Sequence, residues 1–471
     1  MKFIGKSLLW ILISSAALFA QQKINGSWQG KIKMLDLDLK FKIHVNGSNN
    51  VFTATMDIPQ QGLSGYQLPA FTYKKSKVHF ELPGQAGMAK FDGILKGDSI
   101  IGSVLQAGVK GSFSLHRISE SVIAKQEINK PDEPLPYSEE EVAFKSGRIL
   151  LAGTLTTPQG SGPFPAVILL TGIGPQNRDE EIFGFKIFEK IADYLTRKGM
   201  AVLRYDDRGV GGSTGNTMQS TTEDFAGDAL AAIEFLKKQN KINIKKIGFL
   251  GHSEGGIIAP LAAENSNDVA FMVLMSGFGV TGGELLLEQQ RELLQRSNVP
   301  DSIITEDLDL QKKINETLAA GKDLNDIEKD IRAFTEKDYN NLSKEVKASI
   351  PNKEAYINSN VRSQILTFNN PWFRFYVQYD PIPALEKVKV PVLMTFGELD
   401  LQVPVAQNKP KMEEALTKGG NKNFKSIVFP NANHLYQTAK TGNPGEYSQL
   451  PKEFVPGFLD TIANWILEVT K

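Results

Sequence analysis

The stretch Lys246-Ile-Gly-Phe-Leu-Gly-His-Ser253-Glu-Gly-Gly256 sets a serine between two glycines, directly after an apolar run. The run reads as a buried strand and the residues after Gly255 as a helix. Ser253 then falls on a tight strand-to-helix turn that lifts its hydroxyl above a sheet. Side chains at Gly251 or Gly255 would collide with the neighbouring strand and helix. A serine hydroxyl is a weak nucleophile at neutral pH; it needs a base to take its proton and an acid to orient that base. The chain has only five histidines. His44, His79 and His116 lie in the N-terminal third, and His252 adjoins the serine, where it is expected to face away. His434, in Phe429-Pro-Asn-Ala-Asn-His434 after the last apolar strand, is left as the base. The acid is expected between Ser253 and His434 in chain order. Gly397-Glu398-Leu399-Asp400 closes a further apolar strand there, and Asp400, past its carboxyl end, is preferred to Glu398.

Attack on a carbonyl creates an oxyanion, which fixed backbone N–H groups must stabilise. The N–H of Glu254, at the start of the elbow helix, is one expected donor. The second is expected from Thr171-Gly172-Ile173-Gly174-Pro175-Gln-Asn-Arg178-Asp179, whose glycines let the backbone turn in close, with Ile173 as the donor. The glycine-rich Asp206-Asp-Arg208-Gly-Val-Gly-Gly-Ser213 has neither dinucleotide nor P-loop spacing. It is expected to brace the oxyanion loop through charge pairs.

These groups need a sheet to hold them. From Val142 onward, apolar strand candidates at 149–156, 166–170, 201–205, 246–250, 269–275, 392–396 and 425–429 alternate with helical patterns at 185–198, 222–239, 255–264 and 453–469. This pattern predicts a mostly parallel sheet covered on both faces, with chemistry at the carboxyl ends of its strands. The alternation breaks at 280–375, a charged, helix-period insertion expected to cap the sheet's edge. It leaves through Trp372, Phe373 and Phe375, expected to be either core or the lining of an acyl or aryl pocket. Residues 141–471 therefore form the expected catalytic domain.

Residues 21–118 alternate apolar and polar residues without a helical period, which predicts a small all-β accessory domain, barrel or sandwich. Hairpin turns are expected at Gly97-Asp98 and Ala107-Gly108. Its three histidines are expected to be satisfied singly rather than to converge on a metal. Residues 119–140, charged and holding Pro131, Pro134 and Pro136, read as a linker. At the N-terminus, Lys2 and Lys6 precede an apolar run ending near Ala20, the pattern of a cleaved secretory signal over 1–20. The expected location is exported, periplasmic or secreted in a bacterium.

Lys+Arg and Asp+Glu are 53 each, so the net charge is zero, without the basic excess of a nucleic-acid binder. A small-molecule ester is the expected partner, with no nucleic acid and no stable membrane insertion once the signal is cleaved; oligomeric state stays open. The chain has no cysteine, which removes disulfides, thiolate metal sites and a cysteine nucleophile.

Gly-His-Ser-Glu-Gly at 251–255, Asp-x-Arg-Gly-x-Gly-x-Ser at 206–213, Gly-Glu-Leu-Asp at 397–400 and Asn-His at 433–434 together resemble the α/β-hydrolase superfamily. The loop at 172–179 is similar to that of bacterial carboxylesterases related to dienelactone hydrolases and to prolyl-oligopeptidase-like peptidases and serine aminopeptidases. In that group the loop usually begins with histidine; here Thr171 stands instead, which would cost a structural hydrogen bond. The resemblance covers about Glu140 to Lys471, less the cap, and implies an α/β-hydrolase fold and no metal or organic cofactor. A carboxylic ester hydrolase working through an acyl-enzyme is the leading expectation, on short-chain acyl or acetyl esters. A peptidase or amidase on the same residues, and a binding protein with an idle hydrolase core, are the alternatives.

Overall fold

The computed structural model describes residues 24–34, 37–48, 51–58, 63–68, 70–83, 88–106, 109–118, 135–297, 299–342, 344–350 and 352–471. The expected signal segment, the greater part of the expected linker and the turn at Ala107-Gly108 lie outside them. Two compact units result: the chain up to residue 130 with 331–367, and 131–330 with 368–471.

The first unit is built on nine antiparallel strands. They are β1 Gly26–Met34, β2 Leu37–Ser48, β3 Val51–Ile58, β4 Leu63–Gln67, β5 Ala70–Lys74, β6 Lys77–Leu82, β7 Ala89–Lys96, β8 Ser99–Gln106 and β9 Val109–Arg117. Their order is β4-β3-β2-β1-β9-β8-β7-β6-β5. In β7, buried Ala89, Phe91, Gly93 and Leu95 alternate with exposed Lys90, Asp92, Ile94 and Lys96. This period of two buries one face of the sheet, and Trp28, Phe41, Phe80, Phe91 and Phe113 fill the space beneath it. The sheet curls until Phe52 of β3 meets Phe71 and Tyr73 of β5, ring to ring at 6.5 and 5.8 Å. The β7–β8 turn falls at Gly97 (φ +59°) as expected. The histidines do not gather: His44 pairs with Ser27 and Asp57, His79 with Asp92, and His116 with Ser99.

Part of the expected cap belongs to this unit. On the helix Lys353–Phe368, Ser359 Oγ accepts the Met88 N–H at 2.8 Å, and the Arg362 guanidinium meets the buried Glu81 carboxylate at 2.9 Å. The 280–375 insertion thus divides: 331–367 stays with the β strands, while Gly282–Arg296, Asp301–Ala319 and Pro371–Gln378 belong to the second unit.

The second unit carries an eight-stranded sheet. In spatial order its strands are Tyr137–Ser146, Ile149–Pro158, Ala201–Tyr205, Phe164–Leu170, Ile242–His252, Met272–Met275, Val392–Gly397 and Phe424–Phe429. The pairs from Ala201–Tyr205 onward are parallel, and the first two strands run antiparallel. Ala166, Ile168 and Leu170 enter one core cluster while Val167 and Leu169 enter the other. Both faces are covered, which is why these strands read as continuous apolar runs. Tyr137–Ser146 corrects the expected linker, since residues 137–140 already belong to the sheet. The last helix is shorter than expected, Phe458–Val469, because Gly457 enters it at φ +80°. Among the described residues, no helix is long and apolar enough to cross a membrane.

Candidate active site

The strand Ile242–His252 delivers Ser253 in the left-handed region, φ +54°, a conformation that a serine holds only when its surroundings enforce it. Its N–H bonds to the Met275 carbonyl at 2.8 Å. The glycines are sterically required. A Cβ on Gly251 would come within 2.0 Å of the Gly255 carbonyl oxygen, and one on Gly255 within 2.1 Å of that of Leu170.

His434 and Asp400 sit on the loops after the last two parallel strands. His434 Nδ1 donates to Asp400 Oδ2 at 2.8 Å, and both side chains are buried. The other Asp400 oxygen accepts the N–H groups of Gln402 and Val403 at 2.9 Å each. Burial pushes this carboxyl up, but the His434 imidazole, the Val403 amide and the Ser276 hydroxyl outweigh it and hold it below the usual carboxylate value. Glu398, the competing acid, is committed elsewhere: it accepts the Asn431 N–H at 2.8 Å. Gly397 lets the two loops touch, since a Cβ there would lie 2.5 Å from the Asn433 carbonyl oxygen. The Asn433 side chain accepts the N–H groups of Leu435 and Gln437 and so shapes the turn around His434.

The loop after Phe164–Leu170 passes beside Ser253; a Cβ on Gly172 would stand 3.3 Å from the Ser253 Cβ. The Gly172 N–H is taken by Glu180 Oε1 at 2.8 Å. The Ile173 and Glu254 amides have no acceptor among the described residues. The charged loop braces this segment. Arg178 holds Asp206 through Nε and Nη2 at 3.1 and 2.8 Å, and Asp207 accepts from Thr171 Oγ1 at 2.7 Å and from the Gln176 N–H at 2.8 Å. Thr171 therefore costs no structural hydrogen bond; its hydroxyl makes one to Asp207.

The Glu254 side chain points to the insertion. Trp372 Nε1 donates to it at 2.9 Å and Thr222 Oγ1 at 2.7 Å. Burial pushes this carboxyl up to about 7, against those two donors. Trp372 and Phe373 are buried and pack against Tyr376 and Phe368, with ring centroids 5.2 and 4.8 Å apart, while half-buried Phe375 stacks on Tyr379. Trp372 thus contacts the elbow residue, whereas Phe373 and Phe375 meet other aromatic rings of the insertion's exit.

Sequence reasoning passed over Glu180 and the role of His252. His252 Nδ1 lies 2.9 Å from Glu180 Oε1, and its Nε2 lies 3.0 Å from the carbonyl oxygen of His434. His252 and Glu180 are both buried, so each needs the other, but that burial carries no sequence signal.

Strand order, elbow and loops define an α/β hydrolase, and the chain belongs to that superfamily as a hydrolase. Residues 185–337 match the serine aminopeptidase (S33) family model, and residues 357–454 match that of the prolyl oligopeptidase family. Esterase EstD of Thermotoga maritima is 25% identical over 472 residues, covering 99% of this chain and 98% of that protein. Among solved structures, an esterase of Pyrococcus furiosus is 15% identical, covering 72% of this chain and 93% of its own, with a TM-score of 0.43. A proline iminopeptidase of Mycobacterium smegmatis is 18% identical, covering 70% and 98%, with a TM-score of 0.40.

Proposed function

We propose that this protein is a serine carboxylic ester hydrolase acting on short-chain acyl or acetyl esters, exported from the cell. The observation that carries the reading is the His434 imidazole held by Asp400 at 2.8 Å on loops that share a sheet edge with the Ser253 elbow. In this mechanism the neutral His434 Nε2 takes the Ser253 hydroxyl proton as Oγ bonds to the ester carbonyl carbon. The carbonyl oxygen becomes an oxyanion bound by the N–H groups of Ile173 and Glu254. His434 then gives its proton to the departing alkoxide as the C–O bond breaks, which leaves an acyl-enzyme. Water, deprotonated by the same imidazole, releases the acid and returns the proton to Ser253. Asp400 stays ionised throughout and stabilises the transient imidazolium.

The end-to-end similarity to an esterase supports an ester substrate. A peptidase reading draws on the descriptions of the two family models. Against it, the carboxylate that follows Ser253 in the chain, Glu254, is engaged by Trp372 and Thr222 rather than left for a substrate amine. The test is hydrolysis of p-nitrophenyl acetate, butyrate and octanoate beside aminoacyl anilides, by the intact protein and by Ser253→Ala. Turnover of the short esters that Ser253→Ala abolishes is the expected outcome. Turnover of anilides alone would replace the ester reading by the peptidase one, and no turnover of either would overturn both.

A further inference from the structure

Both ring nitrogens of His252 face an acceptor. Nε2 lies 3.0 Å from the backbone carbonyl oxygen of His434, and a carbonyl cannot donate, so this nitrogen carries a hydrogen. Nδ1 lies 2.9 Å from Glu180 Oε1, an oxygen that already accepts the Gly172 N–H at 2.8 Å. A second proton is therefore required between the ring and the carboxylate. We propose that His252 and Glu180 form a buried imidazolium–carboxylate pair that locks the oxyanion loop to the loop carrying His434. Neither residue is placed against substrate; both are positioning residues, and this role rests on the serine hydrolase reading above.

The geometry gives the pair leverage on two catalytic parts. Through Glu180 it fixes the Gly172 amide, one residue before the proposed donor Ile173 and beside the nucleophile. Through Nε2 it fixes the backbone of the base itself, with the two imidazole rings only 4.7 Å apart. Glu180 is held at φ +45°, where a glutamate does not stay without strong partners. Burial supplies the cost of any error, because His252 and Glu180 are each only 1% exposed.

The surroundings favour the charged ring. Burial pushes the His252 imidazole down, but the Glu180 carboxylate, the His434 carbonyl and the nearby Asp400 outweigh it and raise it above the ordinary histidine value. Tyr436 also faces the ring, at 6.5 Å, and the Asp207 carboxyl faces Glu180 from the neighbouring loop. A histidine raised on folding contributes stability that is complete below its unfolded value and lost as pH rises through the folded one. The lock is thus closed on the acid side of that raised value and opens on the alkaline side. There the deprotonated ring leaves one nitrogen lone pair against an oxygen. The alkaline limb of kcat belongs to this pair.

Two measurements test the proposal. The first needs no turnover. In protein labelled with 15N at histidine, with His252 assigned by comparison with His252→Gln, both His252 nitrogens are expected to carry protons at neutral pH, where an ordinary histidine is largely neutral. A singly protonated His252 at neutral pH would overturn the pair. The second is the pH profile of ester hydrolysis by Glu180→Gln, whose amide cannot support the ring charge. Its alkaline limb is expected to move down by about one pH unit, and kcat at neutral pH to fall about tenfold with KM within about twofold, since positioning rather than binding is lost. An unmoved alkaline limb overturns the assignment even if kcat falls. If Glu180→Gln does not fold, the 15N result on the native chain decides. Failure of the hydrolase reading would show separately, as ester turnover that survives in Ser253→Ala.

Discussion

The Glu254 carboxyl offers a calculation that can be checked without substrate. Burial raises it from 4.5 to about 7, despite the Thr222 and Trp372 donors. A carboxyl that binds its proton more tightly when folded makes the protein less stable as pH rises between those two values, with no further change above them. The span is worth about 3 kcal/mol. Glu254→Gln keeps the size and an acceptor oxygen for both donors, yet never ionises. Its amide hydrogens add a pH-independent cost of about 1–2 kcal/mol if they find no acceptor. The unfolding free energy of Glu254→Gln relative to the native chain should therefore rise by about 3 kcal/mol between about pH 4 and about pH 8. Urea unfolding followed by the fluorescence of Trp372 and Trp465 reads the catalytic unit. The same transition must be compared in both proteins, because a chain of two units need not unfold in one step. Since the oxyanion donor is a backbone N–H, ester turnover should stay within about threefold. A stability difference that does not vary with pH, or that grows in the opposite direction, would refute the reasoning.

Two further outcomes follow from the same geometry. Asp400→Asn should lower kcat by roughly 10³–10⁴, because the amide no longer holds the imidazole in its working tautomer, whereas Glu398→Gln should cost less than about threefold; equal losses in steady-state ester kinetics would count against the Asp400 assignment. Arg362→Ala should destabilise the β unit by about 1–2 kcal/mol, a figure discounted because the guanidinium is half exposed, with Glu81→Gln removing most of the effect; Trp28 fluorescence during urea unfolding reads both.

The sequence made the elbow legible because a serine between two sterically required glycines leaves a fixed pattern, and it made His434 legible because so few histidines compete. The choice between Asp400 and Glu398 turned on two positions in a tight turn; the structure sets Asp400 against His434 and sends Glu398 to the Asn431 amide. Tyr137–Ser146 escaped notice for a physical reason. It is an edge strand with Ser138 to Glu141 exposed, so Ser-Glu-Glu-Glu carries charge where a central strand would carry valine and isoleucine. Glu180 escaped for the opposite reason: a glutamate after Asn-Arg-Asp reads as solvated surface, and only the tertiary approach of His252 shows that it is buried. The split of the insertion was likewise invisible, since helical periodicity says which face is apolar and not what covers it.

That split changes what can be done with this molecule. The chain passes from one unit to the other at 130/131, returns at 330/331 and leaves again at 367/368. A β module attached as an appendage would cross once and could be cut away at its linker, or grafted elsewhere, as a self-sufficient part. Here a cut after residue 118 would remove the strands that Ser359 and Arg362 bind, yet leave their helix threaded through the catalytic chain. The unit is stitched in rather than appended. Shortening, fusing or exchanging it calls for replacing two non-contiguous stretches together, and insertions and deletions at 331–367 are constrained by a sheet encoded more than two hundred residues earlier.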